Sequence, residues 1–495
     1  QKTALGSQTD AIKQDIVNYL RGDQSKEVKN GGTFRNRKSL LGDIIHSSPV
    51  FVDNQQSGTA RAQTVFVGAN DGMLHAFDAT NGQEIFAYVP NLLIGSNLTA
   101  LSDPAYTHRY FVDGPIAVTW PALTPGKNIL IASLGYGGKG LFALDVTNPK
   151  SFSEENVQWE LGNDPDLGLM TGEMVLSKTN DGHTTVIFGN GYNSTNEHAA
   201  LFIVDLSTGK TIKKIDTGSG PSNGLSAVIG FDANRDGTVD YIYAGDLQGN
   251  LWKFDLSSKA PNDWDIAKYN GQKVPLFAAG SSQPITGRPM VGYNPADGSR
   301  WVFFGTGRYL TASDISDTST QSWYGVIDDG QNAVTRSQLK ERKIVAKGAD
   351  PTTGDPVRAF ELAVNGDMTN KKGWYVNLDP GERMISSQVL RGSVLIASSI
   401  IPNDDPCSPG GTGYLNAIDA FTGAALGYPF FTDYGTLASG GKDIAIGSIG
   451  TSSGMPGGPT IIGSQIELPL SSGTKNKYKI YPSNKRINWR ELIRE

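Results

Sequence analysis

One short stretch, Asp232-Ala233-Asn234-Arg235-Asp236-Gly237-Thr238-Val239-Asp240, sets oxygen side chains at its first, third, fifth and ninth positions and glycine at its sixth. Calcium takes six to eight oxygen ligands, and alternate residues of a tight loop can converge on one ion where a glycine permits the sharp bend. Asp232, Asn234 and Asp236 would supply side-chain oxygens, Thr238 its backbone carbonyl and Asp240 a carboxylate. An EF-hand needs a bidentate Glu at position twelve, where Tyr243 stands, and Tyr241-Ile242-Tyr243-Ala244-Gly245 reads as a strand. The expected structure is therefore an EF-hand-like calcium loop between strands. The competing reading is an exposed turn held by Asx hydrogen bonds. Three acids crowded at ligand spacing would repel one another without a metal, which favours calcium.

Other motifs are weaker on context. Gly135-Tyr136-Gly137-Gly138-Lys139-Gly140 fits G-x-G-x-x-G but leads into Leu141-Phe142-Ala143-Leu144, a second strand, so a hairpin turn is expected and no phosphate site. Residues 220–224 and 450–454 fit G-x-S-x-G without a strand-to-helix elbow. His46, His75, His108, His183 and His198 show no ligand spacing, which argues against zinc. Arg21, Gly22 and Asp23 form an integrin-type tripeptide if a loop exposes both charges, yet glycine at a helix stop explains itself. The basic run 475–494, with Lys477, Lys479, Lys485, Arg486 and Arg490, reads as a solvated, partly β-paired end rather than a partner-binding strip.

The elements that would hold the loop are short strands. Only one segment reads as a helix: Asp10 to Leu20 places Ile12, Ile16, Val17 and Leu20 on one face and Lys13, Gln14 and Asp15 opposite, with Thr9 as N-cap and Gly22 as stop. From about Leu41 the period becomes two. Val65-Phe66-Val67-Gly68, an Asn70-Asp71-Gly72 turn, Met73-Leu74-His75-Ala76-Phe77-Asp78 and a closing Asp-x-x-x-Gly turn at Gly82 form a unit. It recurs around Asp145, Asp205, Asp255 and Asp419, and more weakly at Trp323 to Gly330. A lead-in strand after a small residue or proline precedes each copy, and a seventh follows the last at Gly458-Pro459-Thr460-Ile461-Ile462.

Repeats at roughly 50 to 70 residues, each holding several short strands, are blade-like units that must stack to bury both faces. They imply an all-β, seven-bladed β-propeller over 41–495, its last blade closed by strands from both chain ends. Residues 1–40 would be a helix and lead-in packed on it. The longer interval from Gly307 to Arg383, with the helix-like Ser337-Gln338-Leu339-Lys340, reads as an insertion or one enlarged blade.

Composition agrees: 60 Gly and 25 Pro with 38% hydrophobic residues describe a chain that turns often around a large core. The formal net charge of −6 argues against a nucleic-acid partner. Cys407, the single cysteine, excludes an intrachain disulfide and a cysteine zinc cage. No apolar run is long enough for a membrane-spanning helix. The start Gln1-Lys2-Thr3 carries no signal sequence and no initiator Met, so a piece of a longer protein is expected.

Several stretches resemble the C-terminal domain of the PilY-type type IV pilus proteins: Leu20 to Asp23, Phe34-Arg35-Asn36-Arg37, Leu41 to Val50, Val67 to Phe77, Trp323 to Gly330 and Ile487 to Leu492. The resemblance covers nearly the whole chain. It implies a modified propeller at the pilus tip, or on the extracellular or outer-membrane surface of a Gram-negative bacterium. Such a protein binds calcium, supports pilus extension against retraction and takes part in twitching motility and adhesion. Implied partners are pilus subunits or minor pilins and host-cell receptors, and the calcium loop would match Asp232, Asn234, Asp236, Thr238 and Asp240 one for one. Arg21-Gly22-Asp23 falls inside the family's local pattern, which favours a structural reason for it. The family's separate, variable N-terminal region is absent. The runner-up is a quinoprotein dehydrogenase-like propeller, whose repeat is similar. That enzyme would need an adjacent cysteine pair, which Cys407 alone cannot form, and a Trp after the repeat glycine, where Gly82 is followed by Gln83.

Overall fold

The structure, a computed structural model, describes residues 9–53, 61–94, 98–404 and 410–482. Cys407, Lys485, Arg486, Arg490 and the stretch Ile487 to Leu492 lie outside them. The chain divides into two compact units, residues 1–247 with 252–267, and residues 248–251 with 268–495.

In the first unit, successive strands pair as antiparallel meanders. One sheet holds Val50–Val52, Thr64–Gly68, Leu74–Asp78 and Glu84–Tyr88, and the next holds Ile116–Val118, Ile129–Ser133, Gly140–Asp145 and Val157–Gly162. A third runs from Val175–Thr179 through Thr184–Gly189 and Ala200–Asp205 to Thr211–Asp216. A fourth is built on Leu225–Phe231 and Tyr241–Asp246. Inner strands feed two cores at once because their side chains alternate. In Gly140–Asp145, Phe142 and Leu144 pack with Phe66 and Leu74, whereas Leu141 and Ala143 pack with Val186 and Phe202. One sheet on, in Ala200–Asp205, Leu201 and Ile203 turn to Trp252 and Phe254.

The repeated turns share one chemistry. Asp78 Oδ1 accepts from the Thr80 amide and hydroxyl at 2.9 and 2.5 Å, and Asp419 Oδ1 accepts from Thr422 in the same way at 2.9 and 2.8 Å. The closing glycine serves a second purpose at two turns. Trp159, on the last strand of one sheet, donates to Leu206 O at 2.8 Å and lies over Gly209, where an added Cβ would stand 2.6 Å from the indole. Trp374 does the same in the second unit with Ala420 O at 2.7 Å and Gly423 at 2.4 Å. The tryptophan thus comes from a preceding strand and not from the residue after the glycine.

The helix spans Asp10–Leu20 as expected, with the Thr9 hydroxyl facing the Ile12 amide at 3.5 Å. Its anchor differs from the expected apolar stripe: Ile16 and Tyr19 are buried, while Ile12 is 43% exposed. The Tyr19 hydroxyl donates within 3.2 Å of Leu101 O, which pins the helix to the first sheet's flank. Arg37 stacks 3.6 Å over Tyr19, donates to Tyr19 O at 2.7 Å and pairs with buried Glu27 at 2.9 Å. Burial works against the Glu27 charge, but Lys29 and Arg37 prevail and hold its pKa down at about 2.

In the second unit, one sheet joins Met290–Tyr293, Arg300–Gly305, Ser322–Ile327 and Gly373–Asn377, with Lys340–Arg342 added in parallel. A six-stranded sheet takes Ile344–Ala349 and Pro356–Phe360 beside Ser448–Thr451, Gly411–Asp419, Val394–Pro402 and Val389–Arg391. The long interval therefore supplies two strands to the following sheet, and its helix-like segment is one 3-10 turn, Arg336–Gln338. The last sheet consists of Thr460–Ile462, Gln465–Pro469 and Lys475–Lys479; among the described residues it contains no strand from the chain's beginning, unlike the expected closure. Lys475 and Lys477 both pair with Glu467, which agrees with a solvated, β-paired end.

In the first sheet, His75 lies between two acids, with Nδ1 2.6 Å from Glu84 and Nε2 3.1 Å from Asp71. Met73, His75 and Phe77 point into a cavity of about 790 Å³ that Val17, Leu20 and Leu41 also line. Burial disfavours the imidazolium, but the two carboxylates outweigh it and the His75 pKa is raised. The stabilisation from this triad is therefore fully present below the unfolded imidazole pKa of about 6.5 and is lost as pH rises through the folded value. A proton-detected titration should place the His75 midpoint above 6.5. His75→Gln should remove that part of the pH dependence of thermal unfolding.

Candidate metal-binding loop

Leu225–Phe231 and Tyr241–Asp246 pair antiparallel, with a register shift between Leu225 and Val228 and Phe231 opposite Tyr241, and the loop 232–240 joins them. Two residues, Arg235 at φ +64° and Gly237 at φ +88°, take left-handed backbone and fold the loop back on itself. The strand character expected for 241–245 is present.

The four expected side-chain ligands face the loop's own amides. Asp232 Oδ1 accepts from Arg235 N at 2.6 Å and its Oδ2 from Gly237 N at 2.8 Å. Asn234 Oδ1 accepts from Asp236 N at 2.9 Å, and its amide nitrogen donates to Asp236 Oδ2 at 3.0 Å. Asp236 Oδ1 accepts from the Thr238 hydroxyl and amide at 2.6 and 2.8 Å, and these bonds hold its carboxyl below the usual range. Asp240, 4% exposed, accepts from Ala233 N at 2.8 Å and Asn234 N at 3.3 Å through Oδ2. This is the Asx-bonded arrangement. Among the described residues no three His, Cys, Asp or Glu side chains are disposed around a common ion position.

The donor set nevertheless fits calcium in kind, because all five are hard oxygens. A carboxylate offers about four lone-pair sites, and Asp236 Oδ2 carries one hydrogen bond, from Asn234. Asp236 and Asn234 are exposed and Asp232 half-buried, so an ion could reach them from solvent.

A further residue belongs to the site. Asn180, in the turn between Val175–Thr179 and Thr184–Gly189, donates to Asp240 Oδ1 and Leu256 O at 3.1 Å and to Val239 O at 3.2 Å, and accepts from the Thr238 hydroxyl at 3.1 Å. The Thr238–Val239 strand pairs in parallel with Lys178 and Thr179 and brings the loop to that turn. In the sequence Asn180 reads only as part of an Asn-Asp-Gly turn, so nothing local marked it.

The other singled-out residues lie apart. Arg21 caps the helix, Gly22 takes φ +103° as its stop, and Arg37 donates to Asp23 O at 2.9 Å. The Asp23 carboxylate accepts from Ser25 N at 2.8 Å, while the side chains of Arg21 and Asp23 stand at an exposed surface. Gly135–Gly137 is a 3-10 turn leading into Gly140–Asp145, as a hairpin requires. All five histidines pair with carboxylates, as His46 with Asp113 and His108 with Asp43.

Stacked antiparallel meanders with a repeated aspartate turn define the class, an all-β chain of the β-propeller type. The description of the matching family is the PilY1 beta-propeller domain, aligned over residues 30–346. The chain is 36% identical over 534 residues to a type IV pilus biogenesis factor PilY1 homolog of Xylella fastidiosa, covering 100% of this chain and 42% of the relative. It is 35% identical to the type IV pilus biogenesis factor PilY1 of Pseudomonas aeruginosa strain PAK, covering 98% of this chain and 48% of that protein. The crystal structure of the Pseudomonas aeruginosa PilY1 C-terminal domain superposes with a TM-score of 0.68 at 30% identity, over 85% of this chain and 93% of that one. The chain belongs to the PilY1 family and spans less than half the length of these curated relatives. Among the described residues no helix is long and apolar enough to cross a membrane.

Proposed function

We propose that this chain is the calcium-binding propeller of a type IV pilus biogenesis factor, acting without catalysis at the pilus tip or on the outer cell surface. The observation that carries the pilus reading is similarity to PilY1 proteins along the whole chain. The calcium part rests on the oxygen set of Asp232, Asn234, Asp236, Thr238 and Asp240 in a loop whose strands are fixed independently of it. Calcium would replace some of the Asx hydrogen bonds and relieve the repulsion among three carboxylates. The occupied loop would then be a local surface read by a pilus subunit or minor pilin, and that partner and the ion would favour one another by linkage.

In this reading residues 41–495 form one seven-bladed unit, a count supported by seven sheets of three or more strands among the described residues, with the enlarged blade at the interval from Gly307 to Arg383. Residues 1–40 are its packed lead-in. Twitching motility follows from support of extension against retraction. Adhesion, including contact between Arg21, Gly22 and Asp23 and a host integrin, is the outermost part of the proposal. The quinoprotein alternative has the similar repeat in its favour, but one cysteine cannot make the adjacent pair it needs.

The test is genetic. Asp240→Ala in the full-length protein should reduce surface pili in cells with an active retraction motor. Pili should return when retraction is disabled. Normal piliation and motility of that variant, with calcium binding abolished in vitro, would make the ion irrelevant to assembly.

A further inference from the structure

We propose that Asn180 is a positioning residue for the calcium loop, setting two of its five expected ligands, Thr238 and Asp240, from a neighbouring hairpin. The inference rests on the calcium reading above and adds a residue to it.

The hairpin turn is closed by hydrogen bonds of its own that do not involve the loop. Asp181 accepts from the Thr179 hydroxyl at 2.7 Å and from His183 N at 3.2 Å, its second oxygen lies 2.8 Å from His183 Nδ1, and Gly182 N closes on Thr179 O at 2.9 Å. Asn180 therefore presents its amide from a fixed base. Its direction is fixed as well: two amide hydrogens face three acceptors, Val239 O, Asp240 Oδ1 and Leu256 O, and the carbonyl oxygen faces the Thr238 hydroxyl. A flipped amide would set an oxygen against three oxygens.

The consequence passes along Asp240. With Oδ1 held by Asn180, Oδ2 is aimed into the loop, where it gathers the Ala233 and Asn234 amides. Thr238, whose hydroxyl is shared between Asp236 Oδ1 at 2.6 Å and Asn180 Oδ1 at 3.1 Å, is held beside Lys178 by the parallel pairing. An ion arriving at this loop meets two donors already ordered. Without Asn180 the ion must order them itself, and outer-shell groups of this kind typically tune metal affinity by about 10–100-fold. Asparagine suits the position because aspartate would offer no donor to the three oxygens.

The test is calcium calorimetry on the wild-type chain and Asn180→Ala, with amide hydrogen exchange of both in calcium-free buffer. The expected result is a calcium Kd raised by about tenfold or more at unchanged stoichiometry. Exchange at Ala233 and Asn234 should be faster, with the Ile242 and Ala244 amides unchanged. Unchanged strand amides exclude general unfolding, and a merely structural role would lower thermal stability without moving Kd. A Kd within about twofold of wild type with unaltered exchange at Ala233 and Asn234 overturns the proposal. If the wild-type chain binds no calcium, the calcium reading falls, and the exchange arm still decides Asn180: faster exchange upholds it as the residue that orders the loop, unaltered exchange removes it.

Discussion

Asp240→Ala is expected to abolish calcium binding while leaving the sheets intact. The carboxylate supplies the last expected ligand and accepts from Ala233 N, Asn234 N and Asn180 Nδ2, so alanine strands the two loop amides and removes a charge, while Asn180 keeps Val239 O and Leu256 O. A hydrogen bond to a charged group contributes about 1.5–3 kcal/mol when its loss leaves a buried donor unpaired. Much of this is recovered here because the loop's outer residues are open to water. The calcium Kd should rise on the order of a hundredfold or more, since site affinity follows ligand charge. The strands on either side are held by backbone pairing from Val228 opposite Ala244 to Phe231 opposite Tyr241, so the β circular dichroism should hardly change. Calorimetry and circular dichroism on the same sample check both halves.

Glu382→Ala should give the largest loss of stability in the second unit. Arg358 is 1% exposed and Glu382 fully buried; their pair is bidentate at 2.7 and 2.8 Å. The guanidinium also donates to Ser448 Oγ at 3.0 Å and Asn416 Oδ1 at 3.1 Å, and lies 3.5 Å from the centre of the Tyr414 ring. Removing the carboxylate leaves the buried cation only its longer contact with Asp379, at 3.3 Å, which costs up to about 3–5 kcal/mol. Replacing both partners with apolar residues, Arg358→Met with Glu382→Leu, should cost much less, because the desolvation of both charges disappears with them. Denaturant unfolding of the two single variants and the double variant measures the coupling. Additive losses would mean that the pair contributes no mutual stabilisation.

What was legible in the sequence was local. Thr9, the helical period and Gly22 bounded the helix because capping and glycine conformation act within one turn. The aspartate turns were readable for the same reason: Asp78 and Thr80 are two residues apart. What was not legible depends on groups brought together by the fold. Trp159 covers a turn 47 residues onward, and Asn180 reaches Asp240 across 60. Tyr19 rather than Ile12 anchors the helix because its hydroxyl finds Leu101 O, 82 residues away. In the loop, spacing read the oxygens of Asp232, Asn234, Asp236 and Asp240 as one set. It did not reveal the amides of Arg235, Asp236 and Gly237 that compete for them.

Loop 232–240 is proposed to exchange those amide contacts for a calcium ion, and calorimetric titration of the calcium-free chain decides whether it does. One calcium per chain should bind, with the heat lost in Asp240→Ala and a rise in wild-type thermal stability that follows calcium concentration by mass action. The absence of binding heat, together with a melting temperature indifferent to calcium, would contradict it and leave the loop as a self-satisfied Asx turn.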